Sequence, residues 1–290
     1  SNVVEEGDYK EIQTSTSKGG PNCNDCIFGY DFFNSTPTTF ALSSNVPLPT
    51  DYILGPGDKI LVEFFGNNSQ QKEGYISRSG RFNLPLLGPA QLAGLKFSKA
   101  EDLIRERVNQ KLIGTDVYLS LSEMRSINVY VVGSAYKPGT YTVSSLASLT
   151  NVILASGGPS EQGSLRNIQV KRNGELINTY DFYDLLLKGD SSKDIRLQES
   201  DAVFFPLIEN KIKIEGSVKR SGFFEIKKEE SLDVLLSYAG LRNKHDTKIQ
   251  FSRYNKDKGE RVVRMIADVN EVRNIDLLDG DTVNVISGTS

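Results

Sequence analysis

From residue 52 onward, short apolar runs alternate with glycine-containing turns, a pattern typical of β-strands. Residues 60–65 (ILVEFF) follow the turn 55–58 (GPGD), and residues 117–121 alternate between apolar and polar positions. We interpret the turn at 55–58 as a device that sets the next strand. The pattern therefore predicts a β-rich domain that begins near residue 51.

A hairpin and a helix are predicted between these two strands. Residues 75–76 and 82–84 flank the segment 78–81 (RSGR), which predicts a hairpin with Arg78 and Arg81 at its tip. Ser98, followed three residues later by Glu101, predicts a capping box at the start of a helix, and Gly114 is expected to end that helix. We expect a compact α+β domain over residues 51–126.

The remaining sequence contains an internal repeat. Residues 131–143 (VVGSAYKPGTYTV) align with 214–226 (IEGSVKRSGFFEI), and 148–158 align with 231–241 at the same offset of 83 residues. Both units close alike, with ESDAVFF and DGDTVNV. One offset held over two separate segments predicts two copies of one supersecondary unit.

Each copy has the order strand, hairpin, short helix and further strands, which is the order of a β-grasp (ubiquitin-like) fold. Ser148 and Ser231 are expected near the helix N-caps. The hairpins need glycine, because the backbone there is expected to have positive φ. The structural positions that the turns single out are Gly55, Pro56, Gly57, Asp58, Gly133, Gly139, Gly216 and Gly222.

The predicted fold is therefore α+β, in four segments. Residues 1–50 form an extended N-terminal arm, 51–126 the β-rich domain, and 127–208 and 209–288 two tandem β-grasp domains. The arm is rich in Ser, Thr, Asn, Gly and Pro, but its aromatic cluster is expected to attach it to a neighbouring surface. This cluster consists of Phe28, Tyr30, Phe32 and Phe33.

Cys23 and Cys26 form the one C-x-x-C pair of the chain. A small loop-closing disulfide is the favoured interpretation, which indicates an oxidising compartment. Half of a zinc site and a redox pair are the alternatives, but His245 is the only histidine and no strand-to-helix pattern surrounds the pair.

Composition and charge exclude several classes of function. The net charge of −3, from 34 basic and 37 acidic residues, gives no basic patch, so we expect no nucleic-acid binding. No apolar stretch is long enough for a membrane-spanning helix. The abrupt start at Ser1, with no signal peptide, suggests a fragment of a longer protein.

No set of residues suggests catalysis, a metal site or a cofactor. His245 lies in a charged stretch that is typical of a protein surface. The acidic pairs at 101–102, 229–230 and 279–281 fit helix starts and turns better than glycoside chemistry. We therefore expect a protein that is not an enzyme and that carries no cofactor.

Three segments resemble the Wza-type polysaccharide export outer-membrane proteins. These are LGPGDKILVEFFG (54–66), GYISRSGRFNLPLLG (74–88) and GLKFSKAEDLIRERV (94–108). The two repeats resemble the soluble-ligand-binding β-grasp (SLBB) modules that follow the export domain in that family. The resemblance covers residues 52–286.

The resemblance implies a non-catalytic subunit of a homo-oligomeric ring that conducts capsule or exopolysaccharide through the periplasm and outer membrane of a Gram-negative bacterium. The implied partners are the polysaccharide chain, an inner-membrane polysaccharide copolymerase, and the outer membrane through a segment outside this chain. A monomeric carbohydrate- or small-ligand-binding β-grasp module is the alternative, and an envelope scaffold protein is a third possibility. Candidate polysaccharide contacts are Arg78, Arg81, Tyr136 and Phe223.

Overall fold

The computed structural model describes residues 25–35, 48–49, 51–242, 247–266, 272–273 and 275–287. Cys23, His245 and most of the predicted arm lie outside these residues. The chain forms two compact units, one of residues 1–31 with 209–290 and one of residues 32–208.

The unit of residues 32–208 begins with an α+β domain that contains two small antiparallel sheets and one helix. One sheet has three strands in the order β2-β1-β5, and the other consists of β3 and β4. The elements are β1 (Lys59–Gly66), β2 (Gln70–Tyr75), β3 (Arg81–Leu84), β4 (Gly88–Gln91), α1 (Phe97–Lys111) and β5 (Thr115–Glu123). Ile60, Val62 and Phe64 of β1 share a core with the buried face of α1.

Two local predictions for this domain are wrong. The helix begins at Phe97 after Lys96, and Lys96 makes no side-chain capping bond, so Ser98 lies inside the first turn. Tertiary pairing sets this start, because the Phe97 N–H donates to the Tyr52 carbonyl and Lys96 forms a bridge with Ile53.

The segment 78–81 turns the chain without forming the predicted hairpin. β2 pairs with β1, from Lys59 opposite Tyr75 to Phe64 opposite Gln70, and β3 pairs with β4. The Ile76 N–H also donates to the Asp58 carbonyl, so the chain before the turn extends the β1–β2 ladder, and the Ser77 N–H donates to the Arg81 carbonyl across the turn.

A first β-grasp domain completes this unit. Its five strands have the order β7-β6-β10-β8-β9, with β6 and β10 parallel and the other pairs antiparallel. The elements are β6 (Ser126–Gly133), β7 (Gly139–Ser144), α2 (Leu149–Ala155), β8 (Ile168–Arg172), β9 (Glu175–Tyr180), α3 (Phe182–Lys188) and β10 (Ala202–Phe205). Ser148 caps α2 in a capping box with Asn151, as its predicted position requires.

The other unit contains the second β-grasp domain, whose strand order β12-β11-β15-β13-β14 repeats that of the first. The elements are β11 (Lys211–Gly216), β12 (Gly222–Glu225), α4 (Leu232–Ala239), β13 (Thr247–Asn255), β14 (Glu260–Ile266) and β15 (Thr282–Ser287). Ser231 stands at the N-cap of α4 and Gly240 at its C-cap. The predicted internal repeat and the α+β fold class are thus confirmed. The predicted boundaries between the four segments stay predictions.

Candidate functional site

One turn recurs three times, once in each domain. Each copy is Leu-x-x-(Gly/Ser)-Asp before a strand, at 54–58, 197–201 and 277–281. The residue before each aspartate has positive φ, 93° at Gly57, 68° at Ser200 and 82° at Gly280. This geometry turns the backbone N–H three residues earlier onto the aspartate carboxylate, at 2.7–2.8 Å. The turn at 55–58 is therefore one member of a structural series.

Each of these aspartates is buried and paired with an arginine. Asp58 is 0% exposed and accepts from the Arg125 guanidinium at 2.7 Å. Asp201 accepts two bonds from Arg172, and Asp281 two from Arg253. A buried carboxylate requires such a partner to offset its loss of hydration. The pKa values of Arg172 and Arg253 are raised by these hydrogen bonds.

The Asp58 pair also joins the export-like domain to the first β-grasp domain within the unit of residues 32–208. Arg125 lies between β5 and β6, and its backbone N–H donates to Asp58 Oδ1 at 2.9 Å. The Tyr52 hydroxyl donates to Asp58 Oδ1 and lies 2.7 Å from Ser145 Oγ of the β-grasp domain. Burial raises the pKa of Tyr52, so its hydroxyl keeps its proton. This network fixes one domain against the other.

Beside this junction lies a cleft of about 720 Å³, also within the unit of residues 32–208. Residues 118–123 of β5 form one wall, and residues 141–144 of β7 form the other. Both β5 and β7 are terminal strands of their sheets within the described chain. Asn151 of α2 and Leu48 contribute to the remaining lining.

The predicted turn glycines have structural roles. At Gly133 (φ 80°) a Cβ atom would lie 2.3 Å from the Phe205 carbonyl oxygen, and at Gly216 (φ 90°) one would lie 2.2 Å from that of Val285. Gly139 and Gly222 open β7 and β12 with φ of 154° and 131°. Pro56 and Gly55 belong to the first aspartate turn, where the Arg125 guanidinium lies against Gly55.

The predicted sugar contacts lie on separate features. Arg78 and Arg81 are exposed at the turn between β2 and β3, and no ion pair involves either one within the described part of the chain. Tyr136 is 64% exposed, with its ring against Gly157 in the first β-grasp domain. Phe223 belongs to the other unit, where Lys211 Nζ and Lys213 Nζ lie 5.2 and 5.8 Å from its ring centroid. Their contact with polysaccharide stays a prediction.

Two other aromatic residues of the β-grasp domains are buried or half-buried. Phe224 is 1% exposed, because it alternates with Phe223 on β12 and faces the core. Tyr141 is half-buried, with its hydroxyl donating to the Lys137 carbonyl at 2.7 Å, and burial raises its pKa.

The predicted attachment of the arm is confirmed at its described residues. In one unit, Ile27 forms a parallel bridge with Phe223, and Phe28 stacks on Phe224 with ring centroids 5.0 Å apart. In the other unit, Phe32 and Phe33 pack against Phe182. Cys26 is disulfide-bonded.

Within the described ranges, no cluster of three or more His, Cys, Asp or Glu side chains is arranged to hold a metal ion. The same part of the chain contains no helix that is long and apolar enough to cross a membrane. Sequence reasoning missed the buried Asp–Arg pairs and the cleft. The recurrence of Leu-x-x-(Gly/Ser)-Asp was the visible signal for the pairs.

Comparison with known families matches two adjacent parts of the chain. A model for polysaccharide biosynthesis/export proteins matches residues 46–122, and a model for the SLBB domain matches residues 128–179. The first match covers the domain of β1–β5, and the second covers much of the first β-grasp domain.

Among curated proteins, two polysialic acid transport proteins KpsD of Escherichia coli are similar to this chain. Each is 30% identical over 220 residues, which is 75% of this chain and 39% of the relative. The chain thus spans about two fifths of the length of these relatives. The export-family match precedes the SLBB match, and the β-grasp domain that carries the SLBB match is followed by a second domain with the same strand order. The chain therefore belongs to the Wza-type polysaccharide export family, with an export domain followed by SLBB modules.

Proposed function

We propose that the chain is the periplasmic portion of an outer-membrane polysaccharide export complex and acts as a non-catalytic, ring-forming conduit subunit. The observation that carries this proposal is the export domain joined to SLBB modules, together with 30% identity over 220 residues to a polysialic acid transport protein. Its cargo is capsule or exopolysaccharide in the envelope of a Gram-negative bacterium.

A conduit of this kind needs partners on both sides. An inner-membrane polysaccharide copolymerase supplies the polymer, and a segment outside this chain connects the ring to the outer membrane. The subunit lines the passage and catalyses no reaction, so the polymer moves through a hydrated passage without being cleaved. Identical subunits close a ring through heterologous contacts, in which one face meets a different face of the neighbour.

The exposed edge strand β14 supports self-assembly. β14 is a terminal strand of its sheet in the described chain, and Val262, Val263 and Met265 are each about half exposed. A long terminal strand with exposed apolar residues offers apolar area to a second protein surface. In a ring, that surface belongs to the adjacent subunit.

Light scattering on the purified chain, over a range of concentrations and after mild crosslinking, tests this proposal. We expect a discrete oligomer that Val263→Lys disrupts, because the substitution places a charge on the β14 edge. Leu278→Lys is the matched control, since Leu278 is 52% exposed in the same unit but lies outside the strands. A strict monomer at all concentrations would contradict assembly through these domains and would favour the monomeric ligand-binding module.

A further inference from the structure

We propose that the cleft between β5 and β7 binds an extended segment of uncharged polysaccharide. The inference rests on the proposed function, and it names the class of polymer and the surface that holds it. The cleft is about 720 Å³ and lies entirely within the unit of residues 32–208. This volume is in the range of sites that enclose a ligand of several rings.

The walls of the cleft are the edges of two strands. Alternate side chains of a strand point to opposite faces of its sheet. A surface that contacts six successive residues, 118–123, must therefore run along the strand edge, and the same holds for 141–144. Each edge presents backbone N–H and C=O groups at a regular spacing. Six residues of strand extend over roughly 20 Å, which suits a linear polymer with a repeating pattern of hydroxyl groups.

Eight of the 17 lining residues of the cleft are Leu, Phe, Met, Val or Ala, and the tyrosine and hydroxyl side chains among the others match the chemistry of a sugar. Tyr118 is 54% exposed, and Tyr141 is held by its bond to the Lys137 carbonyl, so one ring is accessible and the other is fixed. Aromatic rings offer flat apolar surfaces with a polar edge. The lining also includes five serine or threonine hydroxyls: Ser120, Ser122, Ser126, Thr142 and Ser144.

These hydroxyls favour a saccharide over an extended peptide. A hydroxyl both donates and accepts, as a sugar hydroxyl does, and it keeps a lone pair for a ligand even where its proton is used, as in Thr142, which bonds Asn128 Oδ1 at 2.8 Å. A peptide that adds to a strand edge gains its specificity from side-chain pockets. Small hydroxyl side chains provide few such pockets.

The charge of the lining favours an uncharged polymer. Glu123 is the one acidic residue among the lining residues, and none of them is Lys, Arg or His. An anionic polymer would find no cation to pair with and would approach a carboxylate, which repels it. The cleft thus differs in charge from the exposed Arg78 and Arg81, which are two of the predicted polysaccharide contacts.

A single tryptophan reporter tests the inference, because the chain contains no tryptophan. Tyr118→Trp places the reporter in the cleft, and Tyr254→Trp is the control at an exposed tyrosine of the other unit, 52% exposed against 54%. The probes are maltohexaose and a dextran hexasaccharide as neutral chains, a sialic acid hexamer as an anionic chain, and an alternating Thr-Val hexapeptide. Fluorescence is titrated at constant ionic strength.

We expect a saturable change at position 118 with a neutral hexasaccharide, no change at position 254, and at least tenfold weaker binding by the sialic acid hexamer. Adding Ser120→Arg to the cleft reporter should weaken neutral binding at least tenfold by filling the edge of β5. The inference is overturned if neither neutral chain changes the fluorescence, if the anionic chain binds as tightly as the neutral ones, or if only the peptide binds. Light scattering on the same samples separates the two proposals: an oligomer without saccharide binding removes the cleft alone, and a saccharide-binding monomer removes the ring alone.

Discussion

Replacement of Asp58 by asparagine should destabilise the unit of residues 32–208 strongly. The carboxylate is 0% exposed and accepts four hydrogen bonds, from the Tyr52 hydroxyl, the Gly55 N–H, the Arg125 N–H and the Arg125 guanidinium. Asparagine keeps the shape but removes the charge, and its amide N–H₂ group would face donors. Breaking a buried ion pair by removing one partner costs about 3–5 kcal/mol. Because the Arg125 side chain is 27% exposed, we expect the lower value, about 3 kcal/mol.

Thermal unfolding measures this cost. For a unit of this size, 1 kcal/mol corresponds to roughly 2–4 °C in Tm, so Asp58→Asn should lower Tm by about 6–12 °C. Asp51→Asn is the matched control, because Asp51 pairs with Arg196 at 3.3 Å on the surface, where a pair contributes less than about 1 kcal/mol.

Amide hydrogen exchange adds a local measurement. The Arg125 N–H donates to Asp58 Oδ1, so its exchange should accelerate in Asp58→Asn and stay unchanged in Asp51→Asn. Equal losses of Tm in the two variants, with the Arg125 amide still protected in both, would refute the reasoning.

Three further predictions follow from the same features. Asp281→Asn should cost about as much as Asp58→Asn, roughly 3 kcal/mol by urea unfolding, because it removes the charge from the equivalent buried pair; a cost below 1 kcal/mol would contradict the equivalence of the three turns. Gly133→Ala should lower the free energy of unfolding by at least about 2 kcal/mol, because the alanine would have positive φ and its Cβ atom would lie 2.3 Å from a carbonyl oxygen. Gly94→Ala, which has positive φ but open space, should cost about 1–2 kcal/mol. Equal losses of stability in calorimetry would contradict the effect of the close approach. Burial raises the pKa of Tyr52, so the contribution of its protonated hydroxyl to stability is complete below about pH 10 and declines as the pH rises further. Tyr52→Phe should therefore reduce the slope of the free energy of unfolding against pH above about pH 10. An unchanged slope would count against this assignment.

Repetition made the β-grasp architecture predictable from sequence. The two copies, offset by 83 residues, show the same turn and helix-cap residues at equivalent positions. Gly133 and Gly216 are such a pair, and each lies close to a carbonyl oxygen of the parallel neighbouring strand. The buried residues of both repeat helices have helical spacing, as in Leu232, Leu235 and Leu236 of α4.

Local signals failed where tertiary pairing decided the structure. Ser98 and Glu101 have the sequence spacing of a capping box, yet the helix begins one residue before Ser98, next to the bridge between Ile53 and Lys96. The segment 78–81 has the composition of a hairpin turn and does turn the chain, but β3 pairs with β4 and β2 pairs with β1. Propensity is a weak prior, and contacts between residues distant in sequence override it.

The cleft could not be predicted because it is a property of two domains together. Residues 118–123 and 141–144 belong to different sheets, and each segment alone reads as an ordinary strand. The Asp–Arg pairs could not be predicted for the same reason, because their members are distant in sequence; Asp58 and Arg125, for example, are separated by 67 residues. Only the Leu-x-x-(Gly/Ser)-Asp recurrence indicated that these aspartates share one environment.

Electron microscopy of the crosslinked chain tests the conduit most directly. We predict class averages of closed rings with a central opening, since heterologous contacts that close leave a passage on the symmetry axis. Open filaments or compact particles without an opening would contradict a conduit subunit, even if the measured mass were that of an oligomer.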